Sequence, residues 1–279
     1  MNFKTYDEDR DEVIRRALDA DTWVFNVGTQ VDTSKKAVEL AHKYPEGVYA
    51  VIGLHPIHTG KSHHDKEELG DEGAEFVSRG EIFDKNIYRE LLQDSKTVAI
   101  GECGLDYYHM DPESIEKQKK AFGEQIELAK EIGKPLMLHI RNNPKDNSRN
   151  AYFDTCELIK KYSEVGLPNI KGVSHFFAGS VEDMKRFVDM GIYVSFAGPI
   201  TYKPKPEICD YVAVIRETPL DMILTDTDSP YVAPVPNRGK RNEPVYVKDI
   251  VKKIAEIKNL SEEEVASAIV QNAKRLFGI

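Results

Sequence analysis

The sequence predicts an α/β protein of the TIM-type (β/α)8-barrel class, a single domain over residues 1–279 with about seven strands legible. Three observations predict it. Short apolar runs alternate with amphipathic helical stretches along the chain, the pattern of parallel βαβ units. The length suits a single barrel. Potential metal ligands recur at the C-terminal ends of the predicted strands, the face on which barrels build their sites. An open doubly wound sheet fits the alternation as well, but no Gly-rich nucleotide fingerprint follows the early strands.

The elements read as follows. Asp9 to Ala20 is helical, with Val13, Ile14, Ala17 and Leu18 on one face. Thr22 to Gly28 is a β-branched and aromatic run ended by Gly, hence a buried strand. A helix over Ser34 to Tyr44 and a strand over Val48 to Gly53 follow, then a polar stretch with Gly60, Gly70 and Gly73 that reads as loop with some helix. Tyr88 to Gln93 is helical, Val98 to Glu102 a strand, and Glu113 to Ile132 a long helix with Phe122, Ile126 and Ala129 inward. Strands at Pro135–Ile140, Gly172–His175, Ile192–Phe196 and Met222–Thr225 alternate with helices at Tyr152–Tyr162, Val181–Met190 and Tyr211–Glu217. Two helices close the chain, Val247–Lys258 and Ser261–Leu276, the second opened by a Ser261/Glu264 capping box.

Composition narrows the class. The chain is 41% hydrophobic and 30% charged, ordinary for a soluble globular protein. No apolar run approaches the roughly 20 residues that span a bilayer, and the charged N-terminus lacks a signal-peptide apolar region. Cys103, Cys156 and Cys209 are an odd, widely spaced set, which fits a reducing cytoplasm and small apolar fillers. A net charge of −9 argues against a protein that coats nucleic acid. An acidic enzyme that neutralises a few phosphates with metal ions remains compatible with it.

The candidate chemistry sits at strand ends. His55 follows the second strand, Glu102 ends the third, His139 and Arg141 the fourth, His175 the fifth, and Asp226 and Asp228 the last. A carboxylate closing an apolar strand such as Val98-Ala99-Ile100 is costly to bury unless paired or metal-bound. Imidazole and carboxylate together suit Zn, Mn, Fe or Mg. Glu102, His139, His175 and Asp228 are therefore the expected metal ligands. His42, His63, His64 and His109 read as solvated, and Asp226 as a surface or capping group beside a more inward Asp228. Alternation turns Cys103 away from the site.

These segments taken together resemble the TatD family of metal-dependent deoxyribonucleases. The matching stretches are Gly53-Leu54-His55-Pro56, Gly101-Glu102-Cys103-Gly104-Leu105-Asp106-Tyr107, Leu138-His139-Ile140-Arg141, Ser174-His175-Phe176-Phe177-Ala178-Gly179, Thr227-Asp228-Ser229-Pro230-Tyr231 and Arg238-Gly239-Lys240-Arg241-Asn242-Glu243-Pro244, in family order. The resemblance implies a hydrolase related to the amidohydrolases, with a two-metal site. Glu102 would bridge the ions, His139 and His175 would hold one, and Asp228 would help hold the other and activate water. Arg141, Arg238 and His55 are the candidate substrate contacts, the arginines through phosphate oxygens. His55 reads more readily as closing its loop by hydrogen bonding, and Arg238 reads also as a surface loop charge.

One departure stands out. The family opens with a strand carrying an Asp-x-His-x-His pattern, and this chain aligns from just after it, beginning Met1-Asn2-Phe3. Either the recorded start is shortened or this is a natural variant. The barrel is then expected to show two open edges and a gap, with one divalent ion (Mg, Mn or Zn) held well and a second only with the strand restored. The expected activity is cleavage of phosphodiester bonds at DNA ends or in single-stranded DNA, 3′ to 5′, by metal-activated water. The alternatives are another amidohydrolase-type ester or aminoacyl-tRNA hydrolase, or an inactive barrel. No membrane and no obligate protein partner are expected.

Overall fold

The computed structural model describes residues 1–60, 80–108, 112–146, 148–163, 170–205 and 209–279, with the backbone of 63–64 and 76–77. Seven strands form one sheet: β1 (Val24–Val27), β2 (Val48–Ile52), β3 (Thr97–Asp106), β4 (Leu136–Arg141), β5 (Gly172–Ser174), β6 (Ile192–Phe196) and β7 (Ile223–Thr225). Each pairs in parallel with the next, in chain order. Parallel neighbours in sequential order need a crossover on one side each time, and the helices supply it. These are α1 (Arg10–Leu18), α2 (Val31–His42), α3 (Lys85–Leu92), α4 (Pro112–Ile132), α5 (Ala151–Tyr162), α6 (Val181–Asp189), α7 (Tyr211–Glu217), α8 (Val247–Lys258) and α9 (Glu262–Phe277). The polar stretch after β2 lies mostly outside the described residues; 63–64 and 76–77 pair there as a short antiparallel ribbon.

Local chemistry sets the boundaries. Ser261 accepts from the Glu264 N–H while Glu264 Oε2 takes the Ser261 N–H, so the expected capping box opens α9. Asp84 and Asn150 cap α3 and α5 with side-chain oxygens that accept backbone N–H groups of the first turn, and Ser180 opens α6 through a box with Asp183. β3 is longer than its apolar run suggests, because pairing with β4 continues through Gly104, Leu105 and Asp106.

The sheet curls into an incomplete barrel. Among the described residues β1 and β7 each have one strand neighbour, and a cavity of about 890 Å³ lies between them. Its lining joins both edges to the interior: Val24 and Val27 from one, Leu224 and Thr225 from the other, Met137 and Val173 from the floor. The end of α9 leans across this gap, with the Phe277 ring 4.8 Å from that of Phe25. The same cavity reaches Glu102, His175 and Asp228 at the barrel mouth.

Candidate metal centre

Glu102 and His139 lie in the C-terminal halves of β3 and β4, and His55, His175 and Asp228 just beyond the ends of β2, β5 and β7, so parallel strands deliver them to one face. The pairing of β3 with β4 shifts register between Ile100 and Cys103, an irregularity that re-aims Glu102. Two glycines allow β4 to come close there. A Cβ on Gly101 would stand 2.4 Å from the Met137 carbonyl oxygen, and one on Gly104 2.2 Å from that of His139. Both have positive φ, +157° and +139°, where other residues are strained. Cys103 points away, fully buried, with Sγ 3.6 Å from the Met137 carbonyl oxygen.

Glu102 is the hub. Its Oε1 lies 2.9 Å from His139 Nδ1, 3.7 Å from His55 Nε2 and 3.8 Å from His175 Nε2. Asp228 Oδ1 stands 3.7 Å from His175 Nε2. The predicted quartet is thus in one place but divides about Glu102: His139 keeps company with His55, and His175 with Asp228. Asp228 adopts a left-handed backbone, φ +53°, which aspartate tolerates better than most residues. The next residue but one is a cis proline, Pro230.

Burial and charge act against each other here. Burial penalises the Glu102 carboxylate, but the imidazoles of His175, His139 and His55 outweigh it and hold the group well below the carboxylate range. Burial likewise opposes a charged His139, yet Asp106 and Glu102 raise it to about 9. His175 is raised against burial by Asp226 and Glu102. His55 goes the other way: burial, then the neighbouring His139 charge, hold it well below its ordinary value and neutral. His55 also performs the loop role expected of it, since Nδ1 accepts the Ile57 N–H at 3.2 Å. That bond leaves Nε2 facing Glu102.

The donor set fits a divalent cation. Ligand atoms of His55, Glu102 and His139 lie within 4.8 Å of one another. Tetrahedral donors around bonds of about 2.0–2.2 Å stand roughly 3.4 Å apart, so small side-chain rotations suffice. A neutral His55 is the ligand form of imidazole.

Three features escaped sequence reasoning. Asp226 is not a surface group: it is more buried than Asp228, 16% against 34% side-chain exposure. It accepts from the Phe176 N–H and the Ser195 hydroxyl and stands 3.3 Å from His175 Nδ1. Asp106, 2% exposed, bonds His139 Nε2 at 2.9 Å. Buried Gln118 and Gln125 of α4 pin the backbone of Asp106 and of Leu54 through paired amide bonds of 2.9–3.1 Å. A buried Gln spaced seven residues from another on a helix face is a signal that could have found them.

The arginines stack on tyrosines beside the mouth. Arg141 lies over Tyr108 at 3.7 Å, and exposed Arg238 over Tyr202 at 4.3 Å. His42 is exposed and pairs with Asp94; His109 lies outside the described residues, as do the side chains of His63 and His64.

A parallel barrel whose mouth gathers three imidazoles and two carboxylates around one hub is the equipment of a metal-dependent hydrolase. The comparisons place it further. The TatD-related DNase family profile matches residues 1–278, and the chain belongs to that family. It is 37% identical over 282 residues to the uncharacterized metal-dependent hydrolase YabD of Bacillus subtilis, covering 100% of this chain and 96% of that one. It is 30% identical over 281 residues to the 3′-5′ ssDNA/RNA exonuclease TatD of Erwinia tasmaniensis, covering 98% and 95%. The solved structure of YjjV, a TatD homologue from Escherichia coli, superposes with a TM-score of 0.78 at 27% identity, covering 100% of this chain and 95% of that one.

Proposed function

We propose that this hydrolase removes nucleotides from the 3′ ends of single-stranded DNA. The observation that carries the reading is the hub geometry, with Glu102 Oε1 within 3.8 Å of three imidazoles. The name of the Erwinia relative supports the substrate and polarity. A divalent ion bound there would acidify a water molecule and polarise a phosphoryl oxygen.

The protein's own groups divide the remaining work. Each side offers three donors with Glu102 shared, but among the described residues only His55, Glu102 and His139 have ligand atoms all within 4.8 Å of one another, and His175 and Asp228 on the opposite side are not gathered so closely about Glu102. The first set therefore holds an ion more firmly, and one tight ion per chain is expected, with a second bound weakly. The imidazole-rich set favours Zn or Mn over Mg. Asp228, the most exposed acid of the centre, orients the attacking water and takes its proton. Arg141 and Arg238 grip phosphate oxygens, each with its guanidinium plane already set by a tyrosine face.

A 5′-labelled single-stranded oligonucleotide incubated with Mn²⁺ should shorten stepwise from its 3′ end, and Glu102→Ala should leave it intact. Calorimetric titration with Mn²⁺ should give one tight site in the parent chain. An oligonucleotide left whole with Mg²⁺, Mn²⁺ and Zn²⁺ while a small ester is turned over would overturn the substrate assignment. Two equally tight sites would overturn the asymmetry of the centre.

A further inference from the structure

His139 is held between two carboxylates. Its Nδ1 faces Glu102 Oε1 and its Nε2 faces Asp106 Oδ2, each at 2.9 Å. The Nδ1 side is the one that meets the Glu102 hub. Asp106 stands behind the ring, outside the donor set. His175 is backed in the same manner by Asp226 at its Nδ1, so the arrangement occurs twice.

Asp106 is itself fixed on every side. Its backbone N–H and carbonyl are bonded by the Gln118 amide, at 2.9 and 3.1 Å. Its Oδ1 accepts the Tyr108 N–H at 2.9 Å, which leaves Oδ2 for His139. The close approach at Gly104, which pairs with His139 in the sheet, sets the spacing between the two strands. A histidine that binds metal through one nitrogen needs its other N–H directed, and a carboxylate in that place fixes tautomer and ring angle.

We infer that Asp106 is a positioning residue, holding the His139 proton on Nε2 so that Nδ1 is free for a divalent cation. This rests on the metal-centre reading. Asp106→Asn separates the role from a merely structural one. The Tyr108 N–H claims the amide oxygen, so the amide NH₂ faces His139 Nε2. That nitrogen must then accept, and the imidazole proton moves to Nδ1, on the metal side. The side-chain shape is unchanged.

The test is Zn²⁺ titration of the parent chain and Asp106→Asn, with long-range ¹H–¹⁵N spectra of the histidine rings in the zinc-loaded parent chain. Asp106→Asn should melt near the parent temperature without metal and bind Zn²⁺ about 10–100-fold more weakly. In the zinc-loaded parent, His139 should carry its proton on Nε2. Parental Zn²⁺ affinity in Asp106→Asn, or a proton on His139 Nδ1 in the zinc-loaded parent, would overturn the assignment. Should Asp106→Asn fail to fold, a proton on His139 Nδ1 in the zinc-loaded parent chain still overturns the assignment. A parent chain that takes up no Zn²⁺ would overturn the metal-centre reading, and this assignment with it.

Discussion

Asn242 has no exposed surface, and its side-chain amide donates to the carbonyls of Thr227 and Tyr231 at 2.6 and 2.7 Å. Those carbonyls belong to the loop that carries Asp228. Arg241 beside it bonds Asp9 and the Thr5 carbonyl, and Glu243 accepts from Arg16 Nη2 and Nε at 3.0 and 3.1 Å. Through Arg241, Asn242 and Glu243 the Arg-Gly-Lys-Arg-Asn-Glu-Pro segment is thus a clamp between α1 and the Asp228 loop, while Arg238 is exposed over the Tyr202 ring. Asn242→Ala strands two carbonyls and should cost about 2–3 kcal/mol in urea unfolding. Asp9 gives a pH test. Its hydrogen bond to Arg241 holds its pKa below the ordinary value. The stability it contributes is therefore present above the unfolded pKa and lost as pH falls through the lower folded one. The drop in thermal midpoint on acidification through pH ~4 should be smaller in Arg241→Met than in the parent chain.

At the scale of elements, the contact between β3 and β4 decides whether the centre exists. Gly104→Ala would place a methyl group against the His139 backbone and should cost more than about 4 kcal/mol, with loss of metal binding. Gly133 after α4 also has positive φ, +76°, but open space where its Cβ would be. Gly133→Ala should cost only about 1 kcal/mol and leave the metal titration unchanged. Equal costs for the two would show that backbone strain, not the strand contact, dominates at Gly104.

For the whole molecule, β1 and β7, each with one strand neighbour among the described residues, flank the cavity. A parallel strand of about five residues would pair with both β1 and β7 and fill the apolar space. Trp23, the single tryptophan, lines that cavity and is 43% exposed. A fused strand-forming segment ahead of Met1 should raise the melting temperature and shift Trp23 emission to shorter wavelength. An unmoved melting temperature and emission would show that the slot does not accept a strand.

The sequence by itself determined the alternation, the seven-strand count, the strand ends that carry ligands and the family, because hydrophobic period and motif order are local properties of the chain. α7, α8 and β6 fall where their apolar patterns place them. It did not show that Asp226 is inward of Asp228, that Asp106 backs His139, or that His55 Nε2 reaches Glu102. Those facts depend on a register shift between β3 and β4, on glycines that let backbones touch, and on two glutamines reaching from α4. Each joins residues far apart in the chain through distances of a few ångströms. Periodicity carries no information about such distances, and only the tertiary structure decided them.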